Sequence, residues 1–237
     1  IPMQSFDGGS RIEDARALAR GIDGFADAIE RLEPDLVLVL GDRLEIFAAA
    51  SAASMAGVRI AHVHGGDVAS GVADESMRHA VTKLAHLHFP ATPTSAHRIR
   101  LMGEAPESIS IVGSPAVDGL DKIPPMSDMQ WSRLGRPRYA VMLHGTGGRA
   151  EEEYEGAASV LDAVSRRGST VVFEPNLDAG RSGILDAIRR SGLAVIDHLE
   201  RPAFVGLLRR LDALIGNSSA GLIECAALGV PAVDVGD

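Results

Sequence analysis

The residues of this 237-residue chain best suited to chemistry are Asp42-Arg43, His64 with Asp67, Asp74-Glu75, His144, residues 174–178, and Asn217-Ser218-Ser219. The last group is the most distinctive. Gly216-Asn217-Ser218-Ser219-Ala220-Gly221 separates an apolar strand-like run from an apolar helical run. Free N–H groups and the positive dipole at such a helix start favour a phosphate. Small residues let its oxygens approach, and two hydroxyls add donors. Glu224, one turn further in, could accept from ribose hydroxyls. A plain serine N-cap is the simpler reading, but it leaves Asn217, the second serine and the paired glycines without a role.

The other groups admit two readings each. Asp42 could cap the helix that starts at Leu44, or face a substrate with Arg43 beside it keeping it ionised. His62 and His64 stand two apart, which on a strand puts them on one face. With Asp67 they could resemble metal ligands, but no metal-protease or cysteine-based ligand set supports a metal. Asp74-Glu75 could be the dipole-matching acids of a helix start. Arg78, His79 and Lys83 on that helix read as a solvated face. Gly145-Thr146-Gly147-Gly148-Arg149-Ala150 matches a dinucleotide-loop pattern, with Glu174 at the next strand end as a ribose acid. The acids directly after it, "EEEYE", put negative charge where a pyrophosphate would sit.

These residues need elements to hold them. Short apolar runs at 36–40, 59–63, 86–89, 110–112, 139–143, 170–173, 194–196, 213–215 and 232–235 read as parallel strands covered on both faces. Helical patterns lie between them, at about 11–32, 44–56, 75–85, 94–102, 150–166, 182–191, 202–210 and 219–228. The rhythm is that of doubly wound α/β units, in which ligands sit at the carboxyl ends of strands. The chemical residues all follow predicted strands. One stretch, "DKIPPMSDMQWSRLGRPR", carries three prolines and little periodicity. It divides the chain into a Rossmann-like domain at 1–118, a linker at 119–138 and a second Rossmann-like domain at 139–237.

Bulk properties narrow the field. With 46% apolar and 23% charged residues the chain is globular in type, and a net charge of −9 argues against a nucleic-acid or anionic-membrane partner. Cys225 is the only cysteine, so no disulfide forms within the chain, which fits a reducing, cytoplasmic setting. It falls in an apolar helix and reads as packing. No stretch is long and apolar enough for a transmembrane helix.

The stretch "GDRLEIFAAASAASMAGVRIAHVHGGDVASGVADESMRHAVTKLAHLHF" closely resembles the UDP-N-acetylglucosamine 2-epimerases, in particular the hydrolysing branch that forms N-acetylmannosamine for sialic-acid-type sugars. "PNLDAG" and "GNSSAGLIE…GVPAVDVGD" are similar to further segments of that branch. The resemblance implies a GT-B-type fold, two Rossmann-like domains with a UDP-sugar in the cleft, no metal or other cofactor, and a homodimer or homotetramer. It implies that Ser218 and Ser219 hold the β-phosphate and Glu224 the ribose, that Asp42 acts at the sugar, and that Asp74 and His144 belong to the catalytic set. Arg43, His64 and Asn176 are expected to bind substrate. Many relatives carry Glu where His64 stands, and Asp67 is the nearest acid left to serve as the further catalytic carboxylate. Relatives follow the His144 position with Pro or Arg, where this chain has Gly-Thr-Gly-Gly. The family's first strand and closing helix are also expected to be missing from these 237 residues. The implied alternatives are a non-hydrolysing epimerase and a UDP-sugar-binding module without turnover.

Overall fold

The computed structural model describes residues 1–3, 11–68 and 73–236; for Ala73 and Asp74 it describes the backbone alone. The chain divides into two compact units, the first running to Pro115 and the second from Ala116.

The first unit opens with α1 (Arg11–Leu32), whose small residues Ala17 and Gly21 are its buried ones. Then come β1 (Leu36–Leu40), α2 (Leu44–Met55), β2 (Arg59–Val63), α3 (Ala73–Leu84), β3 (Leu87–Phe89) and α4 (Pro93–Leu101). The strands form a parallel sheet in the order β1-β2-β3. Helix α2 buries five alanines, so it lies close to its neighbours. Its Ala49, Ala50 and Ala53 pack with Val39, Ile60 and Val81. The expectation that every strand is covered on both faces fails at β1. Leu36, Leu38 and Leu40 are 42%, 64% and 52% exposed, because alternate side chains point to opposite faces and, among the described residues, only one face is buried. Residues 110–112, expected as a strand, are not one. The segment follows β3 through Ser110 N–H donating to His88 O (2.9 Å) and Val112 N–H to Pro90 O (3.1 Å), with a single bridge at His88–Ile109.

The second unit holds α5 (Asp128–Arg133), β4 (Tyr139–Met142), α6 (Ala150–Ser165), β5 (Thr170–Phe173), α7 (Arg181–Ser191), β6 (Ala194–Ile196), α8 (Arg201–Leu208), β7 (Ala213–Gly216), α9 (Ser219–Leu222), α10 (Glu224–Leu228) and β8 (Ala232–Asp234). Its sheet is fully parallel in the order β6-β5-β4-β7-β8, the doubly wound arrangement. The strand alternation splits the core. Val171 and Phe173 pack with Leu207, Leu208 and Cys225 on one face, and Val172 packs with Leu161, Ile184 and Ile188 on the other. Burial pushes the Cys225 thiol up to about 11, which fits packing rather than nucleophilic chemistry.

Two helices differ from expectation. Helix α5 lies in the proline-containing stretch read as a linker with little periodicity. Ser127 Oγ accepts from Gln130 N–H and the Gln130 side chain reaches back to the Ser127 amide, a capping box that "SDMQ" spells out. Arg136 and Arg210 stack on its Trp131 at 5.8 and 5.3 Å. The helix expected over 219–228 is broken at Ile223 (φ −103°, ψ −72°), which ends α9 and starts α10.

The core of the first unit also contains a buried histidine. His62 is fully buried; its Nε2 donates to Gly41 O (2.8 Å) and its Nδ1 faces Thr82 Oγ1 (3.2 Å). Burial lowers its pKa to about 4, so it folds neutral. The unfolded state binds the proton more tightly, so full stability holds above pH 6.5 and is lost as pH falls from there toward 4. We expect about 2 kcal/mol of unfolding free energy to disappear between pH 7 and pH 5. Urea unfolding at the two values measures this, and a His62→Gln variant is expected to show a much flatter pH dependence.

Candidate functional site

In the first unit the polar residues gather where the chain leaves β1 and β2. Gly41 follows β1 with a left-handed φ of 85° and donates its N–H to Val63 O, which brings Asp42 beside the end of β2. Asp42 forms an ion pair with Arg78, whose side chain is 9% exposed. Arg78 also donates to the carbonyl of Asp67 (3.0 Å), so one guanidinium ties both strand-end loops together. Its expected place on a solvated face is therefore corrected. The period of α3 turns it inward, where Asp42 compensates its charge. The clue in the sequence was that Asp42 has no helical position of its own to cap: the residue preceding α2 is Arg43, which lies 3.5 Å from Glu45.

After β2 the loop His64-Gly65-Gly66-Asp67 turns back on the sheet. Gly66 has φ 78°, and a Cβ there would collide with the Ser95 carbonyl, so the loop presses directly on the start of α4. Arg98 on α4 donates to Gly66 O (3.1 Å). The Asp67 carboxylate accepts from Ser95 Oγ (2.5 Å) and pairs with His64 Nδ1 (3.0 Å). Burial opposes its ionisation, but hydrogen bonds from His64 and Ser95 outweigh that and hold its pKa below the usual carboxylate value. His64 Nε2 lies 2.9 Å from Ser114 Oγ. Asp42, Asp67, His64 and Arg78 thus form one cluster. The side chain of Asp74 lies outside the described residues; its backbone opens α3. His62 does not join the cluster as a ligand-type partner of His64, since both its ring nitrogens are engaged inside the unit. Among the described residues no three His, Cys, Asp or Glu side chains stand where a metal ion could be held.

In the second unit β4 and β7 are neighbours at the point where the strand order reverses, and their carboxyl ends carry His144 and residues 216–219. Gly216 (φ 144°) lies so close to the Met142 carbonyl that a Cβ would collide with it. Asn217 then clamps the backbone of His144: its Oδ1 accepts from His144 N–H (2.8 Å) and its Nδ2 donates to His144 O (2.9 Å). The Asn176 N–H donates to His144 Nδ1 (3.2 Å), which leaves the neutral ring's proton on Nε2. The sequence singled out Asn217 only as part of the candidate phosphate stretch; its clamp on His144 depends on two strands that are distant in sequence. Ser218 caps α9, accepting from Ala220 N–H (3.3 Å), and Ser219 is exposed. Glu224 is mostly buried and lies 3.5 Å from Arg201.

The dinucleotide-like loop already holds an anion. One Glu153 oxygen accepts from Thr146 N–H (2.7 Å), Thr146 Oγ1 (2.8 Å) and Gly148 N–H (3.1 Å). The donors a pyrophosphate would need are spent on a carboxylate of α6. Glu174, the would-be ribose acid, pairs with Arg181 at 2.9 Å. The dinucleotide-loop reading is overruled on both counts.

These two strand-end clusters belong to a known architecture. The fold is of the GT-B type, two Rossmann-like α/β units with parallel sheets. It is similar to a UDP-GlcNAc 2-epimerase from Neisseria meningitidis solved with UDP-GlcNAc (TM-score 0.78, 20% identity, covering all of this chain and 67% of that one). A second similar structure is the Methanocaldococcus jannaschii enzyme with UDP-GlcNAc and UDP (TM-score 0.79, 16% identity, 94% of this chain and 66% of that one). The family model for UDP-N-acetylglucosamine 2-epimerase matches residues 5–237, and the chain belongs to that family. It is 36% identical over 240 residues to a Legionella pneumophila UDP-N,N'-diacetylbacillosamine 2-epimerase (hydrolyzing), and 31% identical over 215 residues to a Neisseria meningitidis UDP-N-acetylglucosamine 2-epimerase. These alignments cover 94% and 87% of this chain but 61% and 57% of the relatives. No helix among the described residues is long and apolar enough to cross a membrane.

Replacing Asn217 by Ala removes both bonds to His144. We expect a loss of about 2 kcal/mol in unfolding free energy, near the sum of two ordinary hydrogen bonds. Urea unfolding measures it, and the His144 ring resonances should broaden or shift while those of His62 stay in place.

Proposed function

We propose that this chain is a hydrolysing UDP-sugar 2-epimerase, converting UDP-N-acetylglucosamine or a related UDP-acetamido sugar to a free ManNAc-type sugar and UDP. The observation that carries this reading is the 36% identity to a relative named as hydrolysing, over nearly the whole of this chain. The chemistry of the clusters supports it. In the second unit, Ser218, Ser219 and the adjoining amides offer donors to a diphosphate, and His144 offers its Nε2–H as a further hydrogen-bond donor to a leaving phosphate oxygen. Glu224 and Asn176 serve the nucleotide. In the first unit, Asp42, Asp67, Asp74, Arg43 and His64 serve the sugar.

The reaction begins with loss of the C2 proton while the C1–O bond to the diphosphate breaks. A glycal-type intermediate results. Water then adds at C1 and a proton returns to C2 from the other face. The C2 proton is weakly acidic, so stabilising the departing diphosphate must lower much of the barrier, and preorganised donors do this without reorganisation. Two proton-handling groups with separated pKa values are needed for the two half-steps. In this reading the protein works in the cytoplasm as a homodimer or homotetramer, and its sugar product feeds sialic-acid-type synthesis.

Incubation with UDP-GlcNAc and with UDP-N,N'-diacetylbacillosamine in D2O, followed by mass spectrometry, tests the proposal. Free 2-epimerised sugar carrying one deuterium, together with UDP, is the expected result. Accumulation of UDP-ManNAc would identify the non-hydrolysing reaction, and tight UDP binding without turnover a binding module. Ser219→Ala is expected to weaken UDP binding about tenfold, the loss of one hydrogen bond to a charged group.

A further inference from the structure

His64 has a backbone φ of 66°. A left-handed conformation is uncommon for a non-glycine residue and is kept where surrounding contacts support it. Here the left-handed backbone aims the ring so that both nitrogens are occupied, Nδ1 by Asp67 Oδ2 at 3.0 Å and Nε2 by Ser114 Oγ at 2.9 Å. Asp67 is ionised and can only accept, so Nδ1 carries the proton. Nε2 of the neutral ring then presents its lone pair to the serine hydroxyl. This is the order of groups that makes an imidazole a proton acceptor: an orienting carboxylate behind the ring and an O–H in front.

Asp67 itself is poorly placed to be the base. One oxygen is taken by His64 and the other by Ser95 (2.5 Å), and these donors make it a weaker base than a free carboxylate. The other titratable or charged groups facing the pair are His62 from β2, which is neutral, Arg98 from α4, which stabilises the Asp67 charge, and Arg78 from α3, which holds the Asp67 backbone.

We propose that His64 is the catalytic proton carrier of the first unit and that Asp67 is a positioning residue which sets its tautomer. The inference rests on the epimerase reading above and reverses the expected roles of the two residues. In the elimination step the sugar C2–H bond breaks and the proton goes to His64 Nε2, the Ser114 hydroxyl having turned aside. The C–H electron pair becomes the C1–C2 double bond, and the C1–O pair leaves with the diphosphate. The imidazolium so formed faces the Asp67 carboxylate.

The test is the pH dependence of kcat/KM for UDP release, with exchange of the C2 hydrogen in D2O, in the full chain and its variants. His64→Gln is expected to lower kcat by 100-fold or more, and Asp67→Asn to lower kcat at least 100-fold with KM changed only a few-fold. His64→Glu keeps a proton acceptor, so it should retain measurable exchange with the acidic limb of the profile moved down by about 2 pH units. A His64→Gln enzyme within tenfold of the wild type, or an acidic limb that stays in place in His64→Glu, overturns the proposal. Nitrogen-15 spectra of the ring give a readout independent of turnover. Nδ1 should be protonated in the wild type, and Asp67→Asn should shift the proton toward Nε2; an unchanged tautomer removes the positioning role. A wild-type chain that neither exchanges nor releases UDP brings down the epimerase reading and the carrier role together, while the spectra still report whether Asp67 orients the ring.

Discussion

A buried guanidinium organises the first unit. Arg78 projects inward from α3, and a charge in that position must be matched or it costs several kcal/mol. Asp42 matches it, and the Asp67 carbonyl takes a further N–H. The loop after β1 and the loop after β2 are therefore held by one side chain. The His64–Asp67 pair and its contacts with Ser95 and Ser114 are built on that base. Loss of the guanidinium would leave Asp42 facing a half-buried space with no counter-charge and would free the Asp67 backbone at once.

The second unit solves a similar problem with neutral groups. Neighbouring parallel strands leave unpaired backbone groups at their carboxyl ends, and these need partners or water. The primary amide of Asn217 has one acceptor and one donor spaced to pair with both backbone groups of His144. A single residue on the loop after β7 thereby fixes the loop after β4. Gly216 permits this approach because the Met142 carbonyl occupies the space of a side chain. On the adjoining loop, Glu153 satisfies three donors that a glycine-rich turn leaves pointing inward. The same local sequence that resembles a nucleotide-binding turn is thus closed by the chain's own carboxylate.

Much of this was legible in the residues. Strand positions followed from short apolar runs, and eight of the nine expected helical and strand segments in the second unit lie within two residues of the observed ones, because period and punctuation are local properties. Residues 110–112 and α5 were misread for opposite reasons. The first has apolar residues but pairs with its neighbour through a single bridge. The second has a capping box that local periodicity did not reveal. The break at Ile223 was not read either: the one weak helix former in "SAGLIECAAL", Gly221, stands two residues before it, and Ile223 itself carries no local stop signal.

By itself, the sequence determined the α/β class, the strand ends where chemistry could sit, and membership of an epimerase family, since each depends on composition, spacing and motif. Only the tertiary structure decided which polar residues meet. Arg78 reads as a surface residue on its helix and becomes the partner of Asp42, Asn217 reads as part of a turn and becomes the clamp on His144, and Glu153 closes a loop that resembled a cofactor site. The reason is physical: a hydrogen bond or ion pair depends on distances of about 3 Å between groups far apart along the chain, and those distances are set by how strands and helices pack.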